Sequence, residues 1–519
     1  MSRVLIGHSY FLQFDAKLWR AMQPYPPLGT LYAAAMLRER GHEVCFFDAM
    51  LAESTAGWSE MLDRQRPDVA VLFEDNFNYL SKMCLLKMRE AAFEMVAAAK
   101  ARGCRVIVAG ADATDHAADY LGRGAEFALL GEGEETLCDL VDALESGGDP
   151  TTPVGMAFLG VDGEEQSTGR RANMRDLDAM PLPARDLVDM RRYREAWRPQ
   201  GRLSMNLVTS RGCPFHCNWC AKPIWGQRYS VRSPQSVAEE VSSLAALGAD
   251  HLWFMDDILG LKPGWLPEFA DRLEALGVRV PFKCLARADL LLRPGEIEAL
   301  RRAGCEMVWI GAESGSQRVL DAMEKGTTVE QVREARRRLG EAGIKVAFFL
   351  QFGYPGETWE DIQATVQLVR ESNPDDIGMS VSYPLPGTPF FERVQSQMRE
   401  RQNWVDSEDM AMLYDGPYAT AFYHRLYDAL HAEFRLQKAG GRPARRVFEL
   451  AAEGRLRAAM GIARDAAMLP VLRARLQIAR RRERRNQAEL PVALDRGEAS
   501  TPSLQTEERI PVMAIEEGR

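Results

Sequence analysis

Short apolar runs alternate with longer amphipathic stretches along most of this chain, a pattern that predicts strands alternating with helices. In residues 1–150 the strand-like runs are Arg3 to Gly7, His42 to Asp48, Val69 to Phe73, Arg105 to Gly110 and Glu126 to Gly131. Helical patterns cover Thr30 to Arg40, about Ser81 to Arg102, and Glu134 to Leu144. Apolar strands separated by helices predict a parallel sheet covered on both faces. Ligands of such sheets bind beyond the carboxyl ends of the strands. The loops at those ends begin Gly7-His8-Ser9-Tyr10, Glu74-Asp75-Asn76-Phe77, Gly110-Ala111-Asp112 and Gly131-Glu132-Gly133-Glu134. Any one of them could simply end a strand. Four together predict a ligand site, with Gly110, Asp112, Gly131, Glu132 and Gly133 as candidates, because glycine and small polar residues permit close approach.

Residues 151–195 read as a connector, broken by Pro181-Leu182-Pro183. The alternation resumes over 196–405. Strand-like runs are Ser204 to Thr209, His251 to Met255, Pro281 to Ala286, Met307 to Ile310, Lys345 to Phe352 and Gly378 to Ser382. Helical patterns such as Pro234 to Leu247, Trp265 to Leu276, Pro294 to Ala303, Thr328 to Ala342 and Thr358 to Glu371 fill the gaps. Six such units predict a parallel barrel, complete or partial, with active residues at the strand ends. Residues 406–485 are helix-rich. Residues 486–519 are polar with few aromatics and read as a disordered tail. The predicted class is α/β: a doubly wound parallel sheet, then a partial (β/α)6 TIM-type barrel, then a helical C-terminal region.

The 519 residues suit roughly two to four domains, and 46% apolar content is enough for a sizeable core. A net charge of −9 argues against a wholesale nucleic-acid binder. Arg473 to Arg485 nevertheless holds seven arginines against one glutamate. Such a run reads first as a solvated helix face or tail; contact with RNA or anionic lipid is the alternative. Six of the nine cysteines (Cys45, Cys84, Cys104, Cys138, Cys284 and Cys305) are scattered singly and read as buried thiols of a reduced, cytoplasmic protein. The first residues do not read as a signal peptide. No run approaches about 18 apolar residues, so no transmembrane helix is expected; peripheral membrane contact is compatible with this.

The remaining three cysteines form Cys213-Pro-Phe-His-Cys217-Asn-Trp-Cys220, a CxxxCxxC. Three thiolates can hold three irons of a [4Fe–4S] cube and leave the fourth iron open for another ligand. A zinc site with His216 or a distant fourth ligand is the alternative. Zinc sites usually come as two separated pairs, and no second CxxC or HxxxH is present. A disulfide would need an oxidising compartment.

With Trp219 before its last cysteine, this cluster resembles the signature of the radical S-adenosylmethionine (SAM) enzymes. The resemblance extends along the barrel. Phe254-Met255-Asp256-Asp257 closes the second strand, Arg287 follows the third, and Gly311-Ala312-Glu313-Ser314-Gly315 follows the fourth. Gly353-Tyr354-Pro355-Gly356-Glu357-Thr358 follows the fifth, and Tyr383-Pro384-Leu385-Pro386-Gly387-Thr388-Pro389 the sixth. The set is similar to the Elp3-type core of radical SAM enzymes with an N-terminal cobalamin domain, including the class B methyltransferases. Pro26-Pro27-Leu28-Gly29-Thr30 and the loops after Gly110 and Gly131 resemble landmarks of that cobalamin domain. The Asp-x-His-x-x-Gly loop that supplies a cobalt ligand elsewhere is absent: Asp115 and His116 are adjacent.

The resemblance implies a [4Fe–4S] cluster on Cys213, Cys217 and Cys220, SAM, and cobalamin. It implies Asp256 or Asp257 at the SAM ammonium, Arg287 at its carboxylate, Glu313 at the ribose, Trp219 against adenine, and Ser314 and Gly353 in the turns nearby. Glu313 could instead form a structural ion pair with Arg287. The implied activity is reductive SAM cleavage with methyl transfer to an unactivated carbon or phosphorus of a small molecule. Electrons would come from a flavodoxin or ferredoxin type of reductase, and no specific nucleic acid is expected. Radical cyclisation, as in anaerobic magnesium-porphyrin ester cyclases, or rearrangement is the alternative. A tRNA methylthiotransferase shares the core, but its second cysteine triplet is not matched here. A non-catalytic sensor would have no need of the SAM-side motifs.

Overall fold

A computed structural model describes residues 1–221, 224–398, 400–440, 442–453 and 455–487; most of the tail expected over 486–519 lies outside the described residues. Its first sheet contains β1 (Arg3–Gly7), β2 (Glu43–Phe47), β3 (Val69–Phe73), β4 (Arg105–Ala109) and β5 (Phe127–Leu129). These run parallel in the order β2-β1-β3-β4-β5. All five residues of β3 are buried, as a central strand covered on both faces requires. Val4 and Ile6 pack with Leu37, Leu137 and Val141 on one face. Leu5 packs with Trp58, Leu62 and Met95 on the other. The stretch expected as a connector extends this sheet with antiparallel β6 (Met156–Leu159) and β7 (Glu165–Ser167). All three residues of β7 are exposed, so they carry no apolar alternation to announce a strand.

The second sheet contains β8 (Ser204–Leu207), β11 (His251–Phe254), β12 (Phe282–Ala286), β13 (Cys305–Glu313), β14 (Lys345–Phe352) and β15 (Asp376–Val381), parallel and in chain order. Between β8 and β11 lies a small antiparallel ribbon, β9 (Ser210–Arg211) with β10 (Ser230–Val231). β8 and β15 are the two edges, so this is an open six-stranded barrel. Its helices start on side-chain caps: Ser233 before Pro234, and capping boxes of Thr328 with Gln331 and Thr358 with Asp361. Helices Thr420–Lys438, Pro443–Ala452 and Leu456–Gln487 form the C-terminal region.

The helix expected over Ser81 to Arg102 is broken into Tyr79–Met83 and Leu86–Lys100. Cys84 takes a left-handed conformation at the break, φ +47°. The freed backbone groups bind the far end of the chain: Leu86 N–H donates to the Trp404 carbonyl (2.8 Å) and Asn403 Nδ2 to that of Cys84 (2.9 Å). On the short helix before this break, Lys82 reaches Asp257 of the second sheet (2.7 Å).

Candidate active site at the barrel mouth

The cysteines lie between β9 and β10, just past the carboxyl end of β8. Cys213 is buried, Cys217 and Cys220 are half-buried, and His216 is exposed. Asn218 pins this loop to the strand ends opposite. Its N–H donates to Met323 O (3.1 Å), its Nδ2 to Ala322 O (2.8 Å), and its Oδ1 accepts from the Tyr354 hydroxyl (2.9 Å). Gly212 precedes the first cysteine with φ +80°, and a Cβ there would collide with the Arg228 carbonyl oxygen. Gly212→Ala is therefore expected to distort the ribbon and lower iron incorporation severalfold, read as iron per chain beside an unchanged far-ultraviolet circular dichroism spectrum.

Basic groups gather beside the cysteines. Arg287 lies with its guanidinium 3.6 Å from the Phe215 ring centre. It donates to Asp289 (2.9 Å) and to the carbonyls of Lys325 and Gly326 (2.8 and 3.2 Å). Lys325 forms a buried pair with Glu313 at 2.7 Å, so the partner of Glu313 is Lys325 and not Arg287. Burial pulls the Lys325 ammonium down, but the charges of Glu313 and Cys217 outweigh it and hold its pKa above the ordinary lysine value. Glu313 itself takes a left-handed backbone, φ +55°, at the end of β13, a conformation costly for a residue with a Cβ. No three His, Cys, Asp or Glu side chains among the described residues converge on one ion. A cube asks for less, because each thiolate takes its own iron. Three thiols on one loop with buried cations beside them fit an anionic cluster.

Asp256 is buried at the end of β11. Its carboxylate accepts from Thr209 N–H (3.0 Å), Thr209 Oγ1 (2.7 Å) and Ser210 Oγ (2.5 Å). It therefore fastens the entry to the cysteine ribbon; burial raises its pKa to about 6 against those hydrogen bonds. Asp257 is more open and pairs with Lys82 from the first sheet's loop at 2.7 Å. Ser314 Oγ lies 3.1 Å from Thr365 Oγ1, and the Gly315 N–H donates to that same oxygen (2.9 Å). Trp219 packs on the Val319, Met323, Tyr354 and Phe390 cluster, and its indole N–H is buried with no hydrogen-bond partner among the described residues.

Gly353 N–H donates to Glu357 (2.6 Å), and the Gly353 carbonyl accepts from the Tyr414 hydroxyl. Burial pushes the Glu357 pKa up to about 8, against the pull of that N–H. A carboxyl raised this way stabilises the fold fully below its ordinary pKa. The contribution is lost as pH rises to about 8. Glu357→Gln is expected to gain stability relative to the parent as pH goes from 5 to 9, read as urea midpoints; a pH-independent difference would contradict this protonation.

The first sheet's carboxyl-end loops face this mouth. Arg211 on β9 is buried between Glu132 and Glu134, with Nη2 2.8 Å from Glu134. Its guanidinium lies over Tyr32 and Phe77 at 5.6 and 5.7 Å. Phe77 stacks on Trp225 at 5.1 Å. Glu132 thus clamps the cysteine ribbon to the first sheet, and it also accepts from Met174 N–H (2.6 Å). Asp112 is held by Arg89 (2.8 Å) and the Tyr120 hydroxyl (2.7 Å). Burial raises its pKa, but these contacts leave it below the usual value. A Cβ on Gly110 (φ +139°) would press on Glu74, so the loop after β4 runs close against that after β3. Gly131 (φ +78°) faces the Ile224 carbonyl of the ribbon, and Gly133 packs on Phe73 and Leu129. His116 is partly exposed, 3.9 Å from Asp112.

Three residues not singled out from the sequence complete the picture. Both ring nitrogens of His8 are buried at the end of β1 with no hydrogen-bond partner among the described residues, Asp48 lying 3.6 Å away, and Ser9 beside it is buried with its N–H donating to Glu74 (3.0 Å). Tyr79, at the start of the short helix after β3, keeps 52% of its surface open although dense protein lies around it. Burial, then Cys220, Glu313, Tyr383 and Asp257, raise its hydroxyl pKa. A tyrosine opening a short helix gives no sequence signal for this; the expected ligand loop after β3 was the available hint.

A cysteine-bearing loop at the mouth of an open parallel barrel defines a class, and residues 207–369 match the family model of the radical SAM superfamily. The chain carries a radical SAM domain, of the kind that uses a [4Fe–4S] cluster and SAM. Among particular proteins, it is 26% identical over 386 residues to an uncharacterized methyltransferase of Pyrococcus horikoshii, 73% of this chain and 81% of that one. It is 30% identical over 278 residues to the anaerobic magnesium-protoporphyrin IX monomethyl ester cyclase of Cereibacter sphaeroides, 52% of this chain and 45% of the cyclase. Its fold matches the radical SAM methyltransferase TsrM of Kitasatospora setae, solved with cobalamin and a [4Fe–4S] cluster bound. That match has TM-score 0.63 and 21% identity, and covers 76% of this chain and 75% of that one.

Proposed function

We propose that the chain holds a [4Fe–4S] cluster on Cys213, Cys217 and Cys220, binds SAM at the barrel mouth and cobalamin in the first sheet's crevice, and methylates an unactivated carbon or phosphorus of a small molecule. One observation carries this reading: the cysteine ribbon is tied to both sheets, by Arg211 to Glu132 and Glu134 of the first and by Asn218 to Ala322 and Met323 of the second, while Lys82 from beyond β3 reaches Asp257 at the mouth (2.7 Å). The cluster would supply the electron that cleaves SAM, and cobalamin would supply a methyl carrier.

The chain's own residues would do the rest. Lys325 and Arg287 set positive charge beside the cysteines, favouring thiolate. Glu313 presents a carboxylate toward the mouth from a fixed, strained backbone. Asp257, freed from Lys82, would accept from the SAM ammonium, because it is the more open of the two acids while Asp256 is buried on the Thr209 and Ser210 donors. The Arg211 clamp and the Phe77–Trp225 stack exclude water, which a radical requires. The His8 ring, buried with no hydrogen-bond partner among the described residues, and the close approach at Gly110 suit a large polar ligand in the crevice. A flavodoxin or ferredoxin type of donor would reduce the cluster.

Radical cyclisation is the second reading, favoured by the identity to the magnesium-porphyrin cyclase. The two are separated by the products of SAM. Reduced, cobalamin-loaded protein with substrate should yield both S-adenosylhomocysteine and 5′-deoxyadenosine if a methyl group is transferred. Deoxyadenosine alone would overturn methyl transfer and support cyclisation or rearrangement. Among the described residues no helix is long and apolar enough to cross a membrane.

A further inference from the structure

The C-terminal helices carry a surface that the barrel chemistry does not use. Residues 442–487 contain thirteen arginines against four acidic residues, a surplus of nine in a chain whose total charge is −9. On helix Leu456–Gln487 the arginines are ordered around an apolar stripe. Leu456, Met460, Ala463, Ala467, Val471, Ala474 and Ile478 recur at intervals of three and four, so they share one face. That face points outward: Leu456 is 61% exposed, Met460 70% and Ile478 53%. The opposite face, with Asp465, Leu476 and Ala479, is buried against the protein. Phe448 on the preceding helix is 76% exposed as well.

Arg457, Arg464, Arg475 and Arg482, at spacings of seven and eleven, form a row along one flank of the stripe. Arg475 and Arg482 join Arg425 of helix Thr420–Lys438 around a hollow of about 220 Å³ floored by Ile478 and Ala479. Other arginines nearby are paired: Arg473 with Glu433, Arg435 with Asp465. Among the described residues, no carboxylate pairs with Arg425, Arg475 or Arg482.

We propose that this helix lies in the surface of an anionic lipid bilayer, with the Leu456–Ile478 stripe in the acyl boundary and lipid phosphate between Arg425, Arg475 and Arg482. The helix is apolar on two faces, one packed on the protein and one turned outward beside Pro470, and an outward apolar stripe flanked by arginines suits a helix lying in the plane of a bilayer surface. Arginine forks suit phosphate oxygens, and each basic residue near an anionic surface adds attraction that salt weakens. Nucleic acid would use the arginines but has no use for the apolar stripe, and this decides between the two. The inference is independent of the methyl-transfer reading.

The full chain tests it, by co-sedimentation with vesicles of phosphatidylcholine alone and of phosphatidylcholine with a third phosphatidylglycerol. The expected result is binding at least about tenfold tighter to the anionic vesicles, weakening with salt. L456Q/M460Q/V471Q/I478Q should lower that binding about tenfold, and R425Q/R475Q/R482Q should abolish the anionic preference. Iron content and SAM cleavage should be unchanged in both variants, showing that each is folded. Failure to bind either vesicle overturns the proposal. Unchanged binding by the apolar variant also overturns it, leaving a charge-only site for polyanions such as RNA. A dimer by light scattering that the apolar variant dissolves, with no vesicle binding, would assign the stripe to a second copy instead.

Discussion

With Cys213, Cys217 and Cys220 all replaced by alanine, the purified chain is expected to contain no bound iron or sulfide, to lose cluster absorbance and to cleave no SAM. The protein should stay folded, because none of the large buried side chains of the barrel is touched and Asn218 still ties the loop to Ala322, Met323 and Tyr354. The scattered cysteines offer no replacement. Cys138, whose thiol pKa burial pushes up to about 12, lies on the helix after β5; on the barrel strand β12, the hydrogen bond with Cys305 and burial raise the Cys284 thiol well above its ordinary value. Iron content and absorbance like those of the parent would place the cluster elsewhere and remove the basis for the radical reading.

The second large effect is expected at Glu313 and Lys325. Both side chains are about nine-tenths buried and 2.7 Å apart. Removing one leaves the other charged in a dry site, at a cost of about 3–5 kcal/mol. Lys325→Met should therefore lower the thermal midpoint sharply and loosen the turn that Arg287 grips through the Lys325 and Gly326 carbonyls. Lys325→Met combined with Glu313→Leu should recover most of the stability, because the pair's mutual attraction only offsets its desolvation. SAM cleavage should not recover with it if Glu313 acts at the bound nucleoside. A double variant as unstable as the single would mean that the pair is not the source of the effect.

Much of this molecule was legible in its sequence. The strand and helix alternation predicted both sheets, since parallel strands buried on two faces must be continuous apolar runs, and β3 is one. The cysteine spacing and the strand-end residues pointed to the mouth of the second sheet, where the structure gathers Glu313, Arg287 and Asp256 around the cysteine loop. What stayed hidden depends on pairing between distant segments. Lys325 gives no local sign that it will be buried against Glu313. Glu132 and Glu134 resemble ligand-loop residues, yet their oxygens hold Arg211, more than seventy positions away. The break at Cys84 arises from contacts with Asn403 and Trp404. β7 is polar and exposed, and no periodicity marks it.

The central claim is the pair of cofactors in one chain. Its most direct test is anaerobic purification with cobalamin present, followed by iron, sulfide and cobalt per chain. About four irons, four sulfides and one cobalt are predicted. Four irons without cobalt would keep the cluster and refute the cobalamin crevice. Zinc in place of iron would contradict the account at its root.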